Sequence, residues 1–166
     1  PRNAGPRLER QRRGRVIDPA NRIDDVLDVA ITDGAIVNVG ANLDVGKACN
    51  LYDACGKIVI PGLVDLHTHT YHKVTPLGID ADHYCLGCGV TTVVDAGSAG
   101  CDTFSGFRAF SAERFQTRIL AYLNISRLGI AVGGVTGADE PGELESPKFI
   151  HAHDCAACIE SNRDLI

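Results

Sequence analysis

The sequence predicts an α/β protein in which a small sheet precedes several strand–helix units of a parallel sheet. Three observations predict it. Apolar runs at residues 63–67, 89–95 and 118–125 have the length and β-branched content of strands buried on both faces. Segments with helical spacing separate them, at residues 81–86 and 103–115. Ahead of them, short alternating runs flank the turn pair Asp33-Gly34, a strong hairpin signal. Strands that alternate with helices imply parallel pairing through right-handed crossovers.

Taken in order, residues 15–19 read as a strand ending in a turn at Asp18-Pro19. Residues 28–32 and 35–40 are the arms of the hairpin. Residues 50–54 and 57–60 form a second strand–turn–strand, so residues 15–60 are expected to make a small antiparallel sheet. The pattern changes after Pro61-Gly62. Residues 63–67 are the first buried strand, 81–86 a short helix, 89–95 the second strand, and Gly97-Ser98-Ala99-Gly100 the loop that leaves it. Phe104, Phe107 and Phe110 give residues 103–115 one apolar helical face. Residues 118–125 are the third strand, 129–149 a loop rich in glycine and proline, and 154–164 a helix with Asp154 or His153 near its cap. Leu165-Ile166 could open a fourth strand.

Composition narrows the function classes. Hydrophobic residues make up 45% and charged residues 22% of the 166 positions, as in a soluble globular protein. No apolar stretch approaches the roughly 18 residues of a membrane span, so no membrane partner is expected. Residues 1–15 hold six arginines and one glutamate, while the whole chain is −5, so the remainder carries −10. No aromatic interleaves with the arginines, and nucleic acid is not an expected partner. Residues 1–13 are expected to be a basic, disordered head. Seven cysteines, most in apolar settings, suit a reducing cytoplasm better than a disulfide framework. The chain has no methionine, which points to a processed or partial sequence.

The residues that carry chemistry close the first buried strand. His67 and His69 stand two apart, and on an extended chain such residues project to one face. Neutral imidazole is the commonest ligand for zinc. Asp65 shares that face and could hold an imidazole by its other nitrogen, as carboxylates behind metal-bound histidines do. Two surface histidines at a strand end are the plainer explanation. The apolar strand, the Pro61-Gly62 lead-in and the same-face aspartate weigh against it. In parallel sheets the chemistry gathers at the carboxyl ends of the strands, where Asp95 and Asn124 also fall. Asp95 could line the pocket, although capping a turn is the better-favoured role.

Residues 56–69, Gly-Lys-Ile-Val-Ile-Pro-Gly-Leu-Val-Asp-Leu-His-Thr-His, resemble the strand-1 motif of the amidohydrolase superfamily of metal-dependent hydrolases. Residues 89–100 and the lead-in at 14–19 are similar to it too. Residues 77–82, 120–126 and 162–166 resemble the amidohydrolase/deacetylase branch, related to dihydroorotases and D-aminoacylases. The resemblance covers the N-terminal portion of such enzymes, from about residue 14 onward. It implies a (β/α)8 TIM-type barrel with a small β-sandwich. Here residues 14–61 would supply part of the sandwich and residues 62–166 about three βα units of the barrel. It implies one or two zinc ions, with His67 and His69 as metal ligands. The other usual ligands are a carboxylated lysine, two further histidines and an aspartate that also serves as base; none can be placed on this sequence. Dihydroorotases usually carry a substrate-gripping arginine where this chain has Tyr71, so Tyr71 becomes a pocket candidate and argues against dihydroorotate as substrate.

The expected activity is hydrolysis of an amide or ester in a small molecule, deacetylase-like, with a homo-oligomer left open. A barrel takes roughly 250 residues, and only 105 follow Pro61. With two of the about three or four protein ligands a zinc site needs, the chain alone is expected to be incomplete and inactive. One alternative is a non-catalytic truncated remnant. Another is a structural zinc protein built on Cys85/Cys88 and Cys155/Cys158, two C-x-x-C pairs. Their wide separation and apolar surroundings favour cysteine as a small packing residue. His151-Ala152-His153 repeats the H-x-H spacing, but in an exposed helix approach. His72 and His83 read as solvent-facing.

Overall fold

Two sheets organise the chain, one in each of two compact units, Pro1–Pro61 and Gly62–Ile166. The structure is a computed structural model and describes residues 8–44, 50–130 and 146–166. Residues 1–7 of the basic head and 131–145 of the glycine/proline loop lie outside the described residues.

The first unit is a five-stranded sheet around β1 (Leu8–Asp18). β2 (Ile23–Thr32) pairs antiparallel with β1 and with β3 (Ala35–Gly40). The hairpin turn is the expected one: Asp33 and Gly34 both take positive φ, 50° and 80°, as a tight turn matched to strand twist requires. Between β1 and β2, Asp18 caps a 3-10 turn at Pro19–Asn21 by accepting the Ala20 and Asn21 amides.

Two expectations for this unit are corrected. β4 (Asn50–Asp53) and β5 (Ile58–Val59) do not pair with each other; both run parallel to β1, along successive stretches of it. The turn between them, closed by the Lys57 amide on the Ala54 carbonyl, steps the chain sideways rather than reversing it. The sheet is therefore mixed, not antiparallel. Second, Leu8 to Arg13 are strand rather than a disordered head, because ladder bonds to β2 and β4 are available to any side chain. The misfit of sequence to strand shows in the packing. Arg10, opposite Ala30 in the β1–β2 ladder, is buried, and among the described residues its Nε and Nη1 lack hydrogen-bond partners.

The second unit holds a three-stranded parallel sheet, β6 (Leu63–Thr68), β7 (Val90–Ala96) and β8 (Arg118–Tyr122), in that order. Its helices are α1 (Ala81–Tyr84), α2 (Phe104–Phe107) and α3 (Ala152–Ser161). Tyr71, Ala81, Cys85, Val93, Ala99, Phe104, Phe107, Ile119 and Ala121 form one apolar cluster between strands and helices. Asp82 ties α1 to the start of β8 by accepting the Gln116 and Thr117 amides and the Thr117 hydroxyl. Beyond β8, the Ala121 amide donates to the Leu165 carbonyl at 2.8 Å, so the backbone lies beside β8 where a fourth strand was expected to open.

Here too the structure departs from the sequence reading. β6 is the sheet margin, and Leu63, Val64 and Leu66 are 45%, 57% and 63% exposed, not buried on both faces. An apolar run signals a strand but not which neighbours cover it. Phe104 and Phe107 are buried, but Phe110 is 63% exposed. After Phe107 the helix widens into a π-helical turn, Arg108–Ala112. That winding brings Ser111 inward, where its hydroxyl donates to the Thr70 carbonyl at 2.8 Å.

Candidate metal centre

The approach to the site depends on close strand contact. A Cβ at Gly62 would run into the Thr91 side chain, so only glycine lets the chain enter β6 this near β7. The register between β6 and β7 shifts between Asp65 and Thr68, a bulge of the sort that re-aims side chains. There the Asp65 carboxylate accepts the backbone amide of His67 at 3.0 Å. Asp65 thus braces the main chain of the bulge, a different hold from the imidazole contact expected of it.

The imidazoles of His67 and His69 come together. Their ring centres are 5.6 Å apart and the rings meet edge to face, at 84°. His67 is exposed and His69 half-buried. Zinc–nitrogen bonds of about 2.0–2.1 Å set two rings on one tetrahedral ion with centres about 5–6 Å apart. The pair therefore fits as two ligands of one cation. Among the described residues no group of three or more histidine, cysteine, aspartate or glutamate side chains is gathered to hold a metal.

Behind His69 lies a built support. Its Nδ1 is 3.1 Å from the hydroxyl oxygen of Ser98, a fully buried residue. Ser98 follows Gly97, whose φ of 81° turns the chain sharply at the end of β7. Asp95, 1% exposed, binds the two strand ends together. One carboxylate oxygen accepts the Thr70 amide and hydroxyl at 2.6 and 3.2 Å; the other accepts the Ser98 amide at 2.7 Å. Asp95 thus has the turn-capping geometry. Asn124 donates to the Gly97 carbonyl and accepts the Ser126 amide, lacing the loops after β7 and β8.

Tyr71, the pocket candidate, packs into the interior of the second unit. It is 5% exposed, packs edge-on against Phe107 at 5.5 Å, and points its hydroxyl at the Thr103 carbonyl. Burial pushes the Tyr71 phenol up from its ordinary value. Its contribution to stability is fully present below the unfolded value of about 10 and is lost as pH rises through the higher folded one. Alkaline titration of phenolate absorbance is expected to show a late step worth one of the four tyrosines, coincident with loss of the circular dichroism signal. Tyr71→Phe should remove that step; a step that persists in the variant would contradict the assignment.

The other candidates do not join the centre. Among the described residues the thiols of the C-x-x-C pairs are not gathered as a group of metal ligands. Cys85 and Cys155 are buried, Cys85 and Cys158 pack with the apolar cluster, and burial raises both of those thiols. His151 and His153 each approach Asp154, which also takes Arg127. His72 is half-buried, with Nδ1 3.2 Å from the Gly78 carbonyl, rather than solvent-facing. Ser98 was missed by sequence reasoning. Its one signal was position: a small polar residue after a glycine at the carboxyl end of a parallel strand.

No protein-family model matches the chain. A deacetylase of Agrobacterium fabrum is 42% identical over 134 residues, which is 81% of this chain and 32% of that protein. A crystal structure of a dihydroorotase superposes with a TM-score of 0.82 at 30% identity, over 95% of this chain and 40% of that one. A crystal structure of an adenine deaminase gives 0.76 at 25% identity, over 95% and 39%. The chain spans about a third of the length of the curated deacetylases it matches. Sequence and fold thus place the chain with the N-terminal portion of a class of hydrolases. More particularly, its sequence relatives are named deacetylase and dihydroorotase, and its structural neighbours belong to the amidohydrolase superfamily, matched in their N-terminal portion. Among the described residues, no helix is long and apolar enough to cross a membrane.

Proposed function

We propose that this chain carries the first part of a metal-dependent hydrolase acting on amide or ester bonds of small molecules, deacetylase-like in its chemistry. The second unit is read as the opening βα units of a (β/α)8 barrel, and the first as part of a small sandwich. The observation that carries the reading is the His67–His69 ring pair, 5.6 Å apart at the carboxyl end of a parallel strand. His67 and His69 would hold zinc; Asp65 fixes the bulge that aims His67, and the Asp95–Ser98 loop fixes His69. When bound, zinc would supply Lewis acidity for hydrolysis at neutral pH. Free thiols at all six described cysteines suit a reducing compartment such as the cytoplasm.

Two imidazoles are fewer than the about three or four protein ligands of a stable zinc site. The 166-residue polypeptide with zinc is therefore expected to turn over N-acetyl amino acids and acetyl esters barely above background. A chimera tests the chemistry directly. With this chain in place of the matching segment of the Agrobacterium fabrum deacetylase, zinc-dependent hydrolysis is expected to return. A chimera that folds and binds zinc but hydrolyses none of these substrates would sink the deacetylase reading.

A further inference from the structure

We infer that Ser98 is a positioning residue for His69: its hydroxyl oxygen accepts the Nδ1–H of the ring and so leaves the Nε2 lone pair free for a metal ion. This rests on the metal-binding reading of His67 and His69. A neutral imidazole has one donor and one acceptor nitrogen, and the partner of the first decides the role of the second. Here the nitrogen facing Ser98 is Nδ1, at 3.1 Å. The reverse arrangement, with the hydroxyl donating to Nδ1, would put the proton on Nε2 and close it to a cation.

The hydroxyl is held in place from both sides of its own backbone. The Ser98 amide donates to Asp95 at 2.7 Å, and its carbonyl accepts the Ile130 amide at 3.1 Å. Gly97 before it is fixed in its left-handed turn by the Asn124 side chain, whose Nδ2 donates to its carbonyl. Ser98 is fully buried, so water does not compete for its oxygen. These main-chain bonds survive removal of the hydroxyl, so Ser98→Ala deletes the contact to the ring and leaves the loop closed.

The test uses the full chain labelled with 15N. Long-range proton–nitrogen spectra of the metal-free wild type are expected to show His69 as the Nδ1–H tautomer. Ser98→Ala is expected to give a mixture of tautomers and to raise the zinc concentration at half-saturation of the His67 and His69 ring signals about 10–100-fold, the usual penalty for losing an outer partner of a metal-bound histidine. Its urea midpoint should stay close to that of the wild type, and Ser98→Thr, which keeps the hydroxyl, should restore the tautomer. Wild-type His69 protonated on Nε2 overturns the inference. So does an Ala variant with unchanged tautomer and zinc response, which leaves the metal reading standing. Wild-type rings that ignore zinc overturn the metal reading and this inference with it.

Discussion

Replacing His67 with alanine is expected to abolish the response of His69 to zinc, and replacing His69 to abolish that of His67. The rings stand 5.6 Å apart, a spacing that fits two ligands of one ion, and no third histidine, cysteine or carboxylate is gathered with them among the described residues. Each imidazole is therefore half of the chelate. The loss should exceed the about 10–100-fold that an outer-partner change costs, so an apparent affinity at least about 100-fold weaker is expected. Chemical shifts of the remaining ring during zinc titration provide the measurement. Neither substitution should much disturb stability, since His67 is exposed and His69 half-buried. A remaining ring that still titrates at the wild-type zinc concentration would mean the two do not share an ion.

Asp95→Ala is expected to have the largest effect on folding. The carboxylate is 1% exposed and accepts the Thr70 amide, the Thr70 hydroxyl and the Ser98 amide. Thr70 and Ser98 are themselves fully buried, so their amides find no water once the acceptor is gone. Each buried donor left unmet costs about 1–3 kcal/mol. Three such donors total about 3–9 kcal/mol, a large part of the about 5–15 kcal/mol that holds a typical domain together. Urea unfolding followed by circular dichroism measures it. Asp95→Asn keeps one acceptor oxygen but turns an NH2 group toward a donor, and should fall between wild type and Ala. A cost under about 1 kcal/mol for Asp95→Ala would show that the carboxylate is not what joins the two strand ends.

The parts legible in the sequence were those set by local chemistry. Asp33-Gly34 specifies its turn by tolerating positive φ, and the three apolar runs specify strands. The H-x-H spacing put the rings of His67 and His69 within reach of one another. What the sequence hid depends on partners distant along the chain. β4 and β5 look like hairpin arms, yet the competition for β1 is won by parallel pairing. Phe110 has the spacing of a core residue, but one widened turn moves it outward and brings Ser111 in. The resemblance makes Tyr71 a pocket candidate, whereas the aromatic body packs edge-on against Phe107, a partner 36 residues further along the chain. Ser98 is invisible without coordinates, because its role comes from a contact 29 residues away.

The unequal burial of the sulfhydryls makes the chain its own set of opening reporters. Only the thiolate reacts with an alkylating agent, and burial disfavours it at Cys85, which is 6% exposed; Cys55 and Cys88 stand at the surface. Modification of Cys85 must therefore wait for local opening, whereas Cys88, three positions on, needs none. The ratio of the two rates, read peptide by peptide in a mass spectrometer, measures how often the helix layer over β7 comes apart under native conditions.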